Sequence, residues 1–126
     1  MKVEVSNGEL LDKVSILKIK LDRITDKEKL VNIQKEYDTL KPYVDKLIEN
    51  SDTNLHNHFL SLSDLNSILW DIEDWIRDCE KRKDFGPEFI QLARSVYTTN
   101  DRRSEVKKII NKTTNSELSE EKSYNE

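Results

Sequence analysis

Four residues between Leu62 and Glu80 belong to types that bind ligands: an amide, an indole, a carboxylate and a guanidinium. They are Asn66, Trp70, Glu73 and Arg77, spaced by four, three and four residues. In a helix this spacing places them along one border of the apolar stripe, with Glu73 about 40° and Arg77 about 80° from its centre. The arginine could bind an anion and Glu73 could orient the ligand or act as a base, beside the flat apolar wall of the indole. The alternative is a structural Glu73–Arg77 ion pair at the rim of the core.

Possible partners for this border occur in the first predicted helix. Lys13 lies on a flank of that helix, with Glu9 close by. If this flank faces the third helix, Lys13, Glu73 and Arg77 converge at a groove between helices and form a site for a small anion. The alternative is a solvated flank whose lysine stems cover apolar surface.

The sequence gives less support for a metal site or for nucleic-acid binding than for an anion site. Four aspartates share the third helix, but their ridge points about 180–220° from the apolar stripe, which indicates a solvated acidic face and no metal site. They are Asp64, Asp71, Asp74 and Asp78. The cations of the last helix spread around it instead of forming one stripe, so nucleic acid is not an expected partner. We predict no cofactor.

Composition indicates a single all-α domain. The chain has 126 residues, only two Gly and two Pro, and a net charge of −4, of which the acidic tail of residues 113–126 carries most. The single cysteine, Cys79, lies on an apolar stripe, which predicts a buried structural thiol. No apolar run reaches the length of a signal peptide or membrane span, so we predict a cytoplasmic protein without membrane contact.

Apolar periodicity predicts three long helices, with the possibility of a short extended arm before them. Ser6 and Glu9 fit a capping box at the start of the first helix, and Thr25 and Glu28 fit another before the second. The second helix continues to about Glu49, with a kink near Lys41 or a brief break caused by Pro42. The third runs from about Asn54 to Lys81.

Two shorter helices complete the predicted bundle. Pro87 suits the first position of a short fourth helix, Thr98 to Asn100 break it, and Asn100 caps a fifth. We therefore predict one helical domain over residues 1–112. The tail, residues 113–126, is either disordered or docked through Leu118 and Tyr124.

Several sequence blocks resemble a family of small bacterial and phage proteins of unknown function. The blocks are EVSNGEL with Asp12 and Lys13, LWDIED with Arg77, LARSVY, Asn100-Asp101 with Arg103, and EEKSY. The resemblance implies no activity, but its pattern holds more polar residues than a bundle needs to fold: Glu9, Lys13, Glu73, Arg77, Arg94, Asn100, Asp101 and Arg103. It also implies that the block containing Tyr124 docks.

These observations favour a small binding or accessory module. Its groove would recognise an anionic ligand or a protein partner through Lys13, Arg77, Arg94 and Arg103. The alternative is a small helical enzyme acting on an anionic metabolite, with an architecture like the all-helical chorismate mutases or a metal-dependent nucleotide pyrophosphohydrolase. Ile16 and Ile19, apolar on the far side of the first helix, suggest a homodimer.

Overall fold

The computed structural model describes residues 1–51, 54–116 and 118–121, and in this part of the chain it contains four helices and no strand. They are α1 (Asn7–Arg23), α2 (Lys27–Glu49), α3 (Leu55–Arg82) and α4 (Pro87–Thr113). The predicted all-α class is confirmed. Among the described residues, no helix combines the length and the apolarity that a membrane span requires.

The prediction of two short C-terminal helices is wrong, because α4 is continuous from Pro87 to Thr113. The Thr98 hydroxyl donates to the backbone carbonyls of Arg94 and Ser95, at 3.4 and 3.2 Å. Asn100, the predicted cap of a fifth helix, accepts a hydrogen bond from the Arg103 side chain instead. Local Thr and Asn preferences for turns are therefore outweighed by packing and side-chain bonding within the helix.

The helix starts agree with the predicted caps in one case and differ in the other. The Ser6 hydroxyl accepts a 3.1 Å hydrogen bond from the Glu9 backbone N–H, as predicted. The second cap is Asp26, not Thr25, because the Asp26 carboxylate accepts from the N–H groups of the two residues after Lys27. α2 then runs unbroken through the exposed Pro42, which excludes the predicted break.

Helix α1 lies at the centre of the bundle and packs against α2, α3 and α4, while α3 also packs along α4. The main core draws on all four helices: Leu11, Val14, Val44, Leu55, Phe59, Leu62 and Ile110. Farther along α3, Cys79 is fully buried, and this burial raises the pKa of its thiol. Cys79 is thus the structural thiol that its position on the stripe predicted.

The segment that follows α4 returns to the start of α1. The Ser6 hydroxyl donates to the Glu120 carboxylate at 2.7 Å, and the Ser116 hydroxyl accepts from the Asn7 backbone N–H at 3.1 Å. Leu118, one of the two predicted anchors, is 41% exposed. Tyr124, the other, lies outside the described residues. Hydrogen bonds of Ser116 and Glu120 therefore connect this segment to the start of α1.

The contact of Glu120 with Ser6 predicts a dependence of stability on pH. Burial opposes ionisation of Glu120, but the Ser6 hydrogen bond, the residue's own backbone N–H and the charge of Lys107 outweigh it and lower the pKa of Glu120 below its ordinary value. A lowered pKa stabilises the fold above the unfolded value, and this contribution is lost as the pH falls through the folded value. Glu120→Gln should therefore cost about 0.5 kcal/mol at pH 7, because water screens this contact, and nothing well below pH 4.

Urea unfolding of both proteins between pH 3 and pH 7 measures this difference. The exposed neighbour Glu121 provides the control, and Glu121→Gln should leave the unfolding free energy unchanged across the series. A constant gap between wild type and Glu120→Gln at every pH would contradict the role assigned to the ionised carboxylate.

Candidate functional site

A cleft of about 460 Å³ opens between α1, α3 and α4. All four residues of the predicted border of α3 line this cleft, and Arg103 reaches it from α4. Its complete lining is Ile16, Ile19, Asn66, Leu69, Trp70, Glu73, Asp74, Arg77 and Arg103. A volume of this size is within the range of small-molecule sites.

One wall of the cleft is apolar. Ile16 and Ile19 contribute to it from α1, and Leu69 and Trp70 from α3. The guanidinium carbon of Arg23 lies 5.9 Å from the centroid of the Trp70 ring, within the range of a cation–π contact. Arg23 also forms an ion pair with Asp71 on α3. The end of α1 therefore packs onto Trp70 and helps to fix the position of the indole.

The α3 side of the cleft also carries exposed charges, one turn and two turns beyond Trp70. The Arg77 Nε lies 3.8 Å from the Glu73 Oε2, and the two side chains are 77% and 55% exposed. A separation of 3.8 Å is too long for a hydrogen bond, and exposed i,i+4 pairs contribute little to stability. The Glu73–Arg77 ion pair of the structural interpretation is present, but its contact is long. Both side chains also line a cleft, as the ligand-binding interpretation requires.

Beneath the cleft lies a buried polar network centred on Asp12 of α1. The Asp12 side chain is only 1% exposed and accepts two hydrogen bonds from Arg103, at 2.9 Å from Nε and 2.6 Å from a terminal nitrogen. The Asn66 amide donates to Asp12 and to the Ser15 hydroxyl, at 2.9 and 2.8 Å. The hydrogen bonds and charge of Asp12 raise the pKa of Arg103 against the opposing effect of burial. Asn66 and Arg103 are therefore held rigidly where they meet the cleft.

The sequence interpretation missed Asp12 and Ser15 as parts of this site. One signal could have revealed them, since Gly8, Asp12, Ser15 and Ile19 recur every three or four residues and form a second face of α1. A face that starts with glycine and carries small polar side chains indicates a close contact with other helices.

Lys13 does not converge with Glu73 and Arg77, because the condition for that convergence, a flank of α1 that faces the third helix, is not met. Its ammonium lies 2.9 Å from the Glu36 carboxylate of α2, beside a different hollow. The flank of α1 that carries Lys13 faces α2, whereas the Asp12 face turns toward α3 and α4. The orientation of α1 about its axis explains the difference.

Four further predicted site residues lie outside the cleft lining. Glu9 forms an ion pair with Lys107 of α4 at 2.6 Å. Asn100 supports Arg103 by accepting a 3.0 Å hydrogen bond from it. Arg94 and Asp101 are exposed on α4 and do not line the cleft.

The aspartates of α3 are largely exposed, as expected, and only Asp71 is partly buried. Asp71 pairs with Arg23, Asp78 pairs with Arg82, and Asp74 lines the cleft, while Asp64 is exposed. Among the described residues, no three His, Cys, Asp or Glu side chains form a group that could hold a metal ion.

Comparison with known proteins yields a family but no described activity. No curated protein and no solved structure matches this chain. The family of unknown function DUF6165 matches it over residues 1–126, and the chain belongs to that family.

Proposed function

We propose that the protein is a binding module whose cleft takes a small ligand with a carboxylate and an apolar body. One observation carries this proposal: the lining of one cleft combines an apolar surface, formed by Ile16, Ile19, Leu69 and Trp70, with an exposed arginine, Arg77. Binding sites for small molecules combine these elements, since the apolar surface supplies affinity and a few polar groups fix the orientation. Arg77 would hold the carboxylate through charge-assisted hydrogen bonds.

The buried network supports binding more than catalysis. Arg103 uses Nε and a terminal nitrogen on Asp12 and its other terminal nitrogen on Asn100. Only two of its five N–H groups remain for a ligand. An enzyme that accelerates the rearrangement of a dianion needs several cationic donors aimed at the ligand. The cleft offers Arg77 and part of Arg103, which suits a monocarboxylate.

The homodimer and the cytoplasmic location stay predictions from the sequence. The argument for a dimer from Ile16 and Ile19 loses its basis, because these side chains line the cleft.

Replacing Arg77 with alanine tests the proposed function. Indole-3-propionate, an apolar monocarboxylate, is a suitable probe, and isothermal titration calorimetry measures its affinity. We expect Arg77→Ala to weaken binding by about tenfold or more, since one charge-assisted hydrogen bond is lost. The fold should be unaffected because the Arg77 side chain is 77% exposed.

Arg94 provides the matched control, as an exposed arginine of α4 outside the cleft. Arg94→Ala should bind the probe with the affinity of the wild type. If wild-type protein binds neither indole-3-propionate nor other apolar carboxylates, or if Arg77→Ala binds them unchanged, the proposed function is wrong.

A further inference from the structure

We infer that the ligand of the cleft is a free α-amino acid with a large apolar side chain. This inference rests on the proposed function and extends it, because it adds a second charged group to the ligand. The observation behind it is that carboxylates and a guanidinium stand side by side on the rim of one apolar cleft.

The charges that line the cleft are complementary to a ligand that carries both a negative and a positive group. Glu73 and Asp74 contribute two carboxylates, and Arg77 and Arg103 two guanidinium groups. Arg103, however, is already neutralised by the bidentate contact with the buried Asp12. One arginine and two carboxylates are left without such compensation. A ligand carrying only negative charge would be attracted by Arg77 but repelled by Glu73 and Asp74, whereas an added ammonium group converts that repulsion into attraction.

The spacing of the rim residues fits an ammonium and a carboxylate on one carbon atom. Arg77 follows Asp74 by three residues and Glu73 by four, so both acids are its neighbours on the helix surface. The Arg77 Nε and the Glu73 Oε2 are 3.8 Å apart and form no hydrogen bond with each other. A zwitterionic head group can therefore contact Arg77 with its carboxylate and the adjacent acids with its ammonium.

The apolar part of the cleft lining fits an apolar side chain. Ile16 and Ile19 come from α1, and Leu69 and Trp70 from α3, so the side chain would enter between two helices. The volume of about 460 Å³ admits an aromatic ring. Trp70 lines the cleft with its indole, and the contact with Arg23 helps to fix the position of the ring.

Three related ligands test this inference by calorimetry: L-tryptophan, indole-3-propionate, which lacks the ammonium, and tryptamine, which lacks the carboxylate. L-tryptophan should bind about tenfold or more tightly than either analogue, because each analogue leaves one sign of rim charge without a partner. L-serine, with the same head group and no apolar side chain, should show no measurable binding.

Variants of Glu73 and Asp74 test whether these two carboxylates bind the ammonium group of the ligand. Glu73→Gln with Asp74→Asn should bring the affinity for L-tryptophan down to that for indole-3-propionate, and should leave binding of indole-3-propionate equal or tighter. Asp78→Asn is the matched control, because Asp78 is on the same helix but pairs with Arg82 outside the cleft. This variant should bind all ligands as the wild type does.

The outcomes separate the two proposals. If indole-3-propionate binds as tightly as L-tryptophan and depends on Arg77, the carboxylate site stands and the amino-acid inference is wrong. An affinity for L-tryptophan that survives loss of both acids would also overturn the inference. If no ligand of the set binds, the proposed function fails, and the inference fails with it.

Discussion

Replacing Asp12 with alanine should lower the free energy of unfolding by about 3 kcal/mol. The Asp12 side chain is 1% exposed and holds the Arg103 guanidinium by two hydrogen bonds, while Arg103 itself is only 25% exposed. Without the carboxylate, a largely buried cation loses its counter-ion, and the Asn66 amide loses one of its two acceptors. We expect a loss at the low end of the range known for removing one partner of a buried ion pair, because part of the Arg103 side chain still reaches water. Urea denaturation measures the loss.

Two further variants show that the loss comes from the unpaired charge. Asp22 is an exposed aspartate of the same helix, and Asp22→Ala should change stability by less than about 0.5 kcal/mol. The double variant Asp12→Ala with Arg103→Met removes both charges and should recover much of the lost stability. If Asp12→Ala costs no more than Asp22→Ala, the network does not stabilise the fold as described.

The second large effect is expected at Gly8, where α1 lies close against α4. An added Cβ atom would lie 2.7 Å from the backbone oxygen of Lys107 and 3.0 Å from the Asn111 side-chain oxygen. The Gly8 N–H also donates to that oxygen at 2.7 Å. Alanine in a helix gains about 1 kcal/mol over glycine, but the clash with a backbone atom forces the two helices apart. Gly8→Ala should therefore reduce the free energy of unfolding by about 2 kcal/mol.

Gly86 is the natural control, since it is the only other glycine of the chain. A Cβ atom there would meet only the Asp84 side chain, at 3.2 Å, and that side chain can move. Gly86→Ala should shift the thermal midpoint by a few degrees at most, whereas Gly8→Ala should lower it by roughly 10 °C. Similar midpoints for the two variants would contradict the close approach of α1 and α4.

The features of the fold that could be predicted from the sequence are those that depend on a single helix, such as the bounds of α3. Apolar periodicity gave α3 as Asn54 to Lys81, against Leu55–Arg82 in the structure. In α4 the local signals misled, because Thr98 and Asn100 bond within the helix instead of ending it. Propensity describes an isolated segment, and packing between helices can override it.

In the candidate site, too, relations within one helix could be predicted, whereas contacts between helices could not. Asn66, Trp70, Glu73 and Arg77 share a border by helix geometry alone, and the structure places all four in one cleft. Lys13 was misplaced because single-helix geometry does not fix which flank of α1 faces α2. The bond between Asp12 and Arg103 spans 91 residues of sequence, and no local spacing can predict such a partner.

That same separation shapes how the chain must fold. Asp12 can give up its water only when Arg103 is in place, and the Gly8 amide is satisfied by Asn111, 103 residues away. During synthesis, α1 is made before α4 and keeps a hydrated, charged face until α4 has been made. α1 and α2 can associate early, whereas the docking of α1 onto α3 and α4 is a late, long-range step. A helical protein of this size should therefore fold more slowly than bundles whose contacts are local.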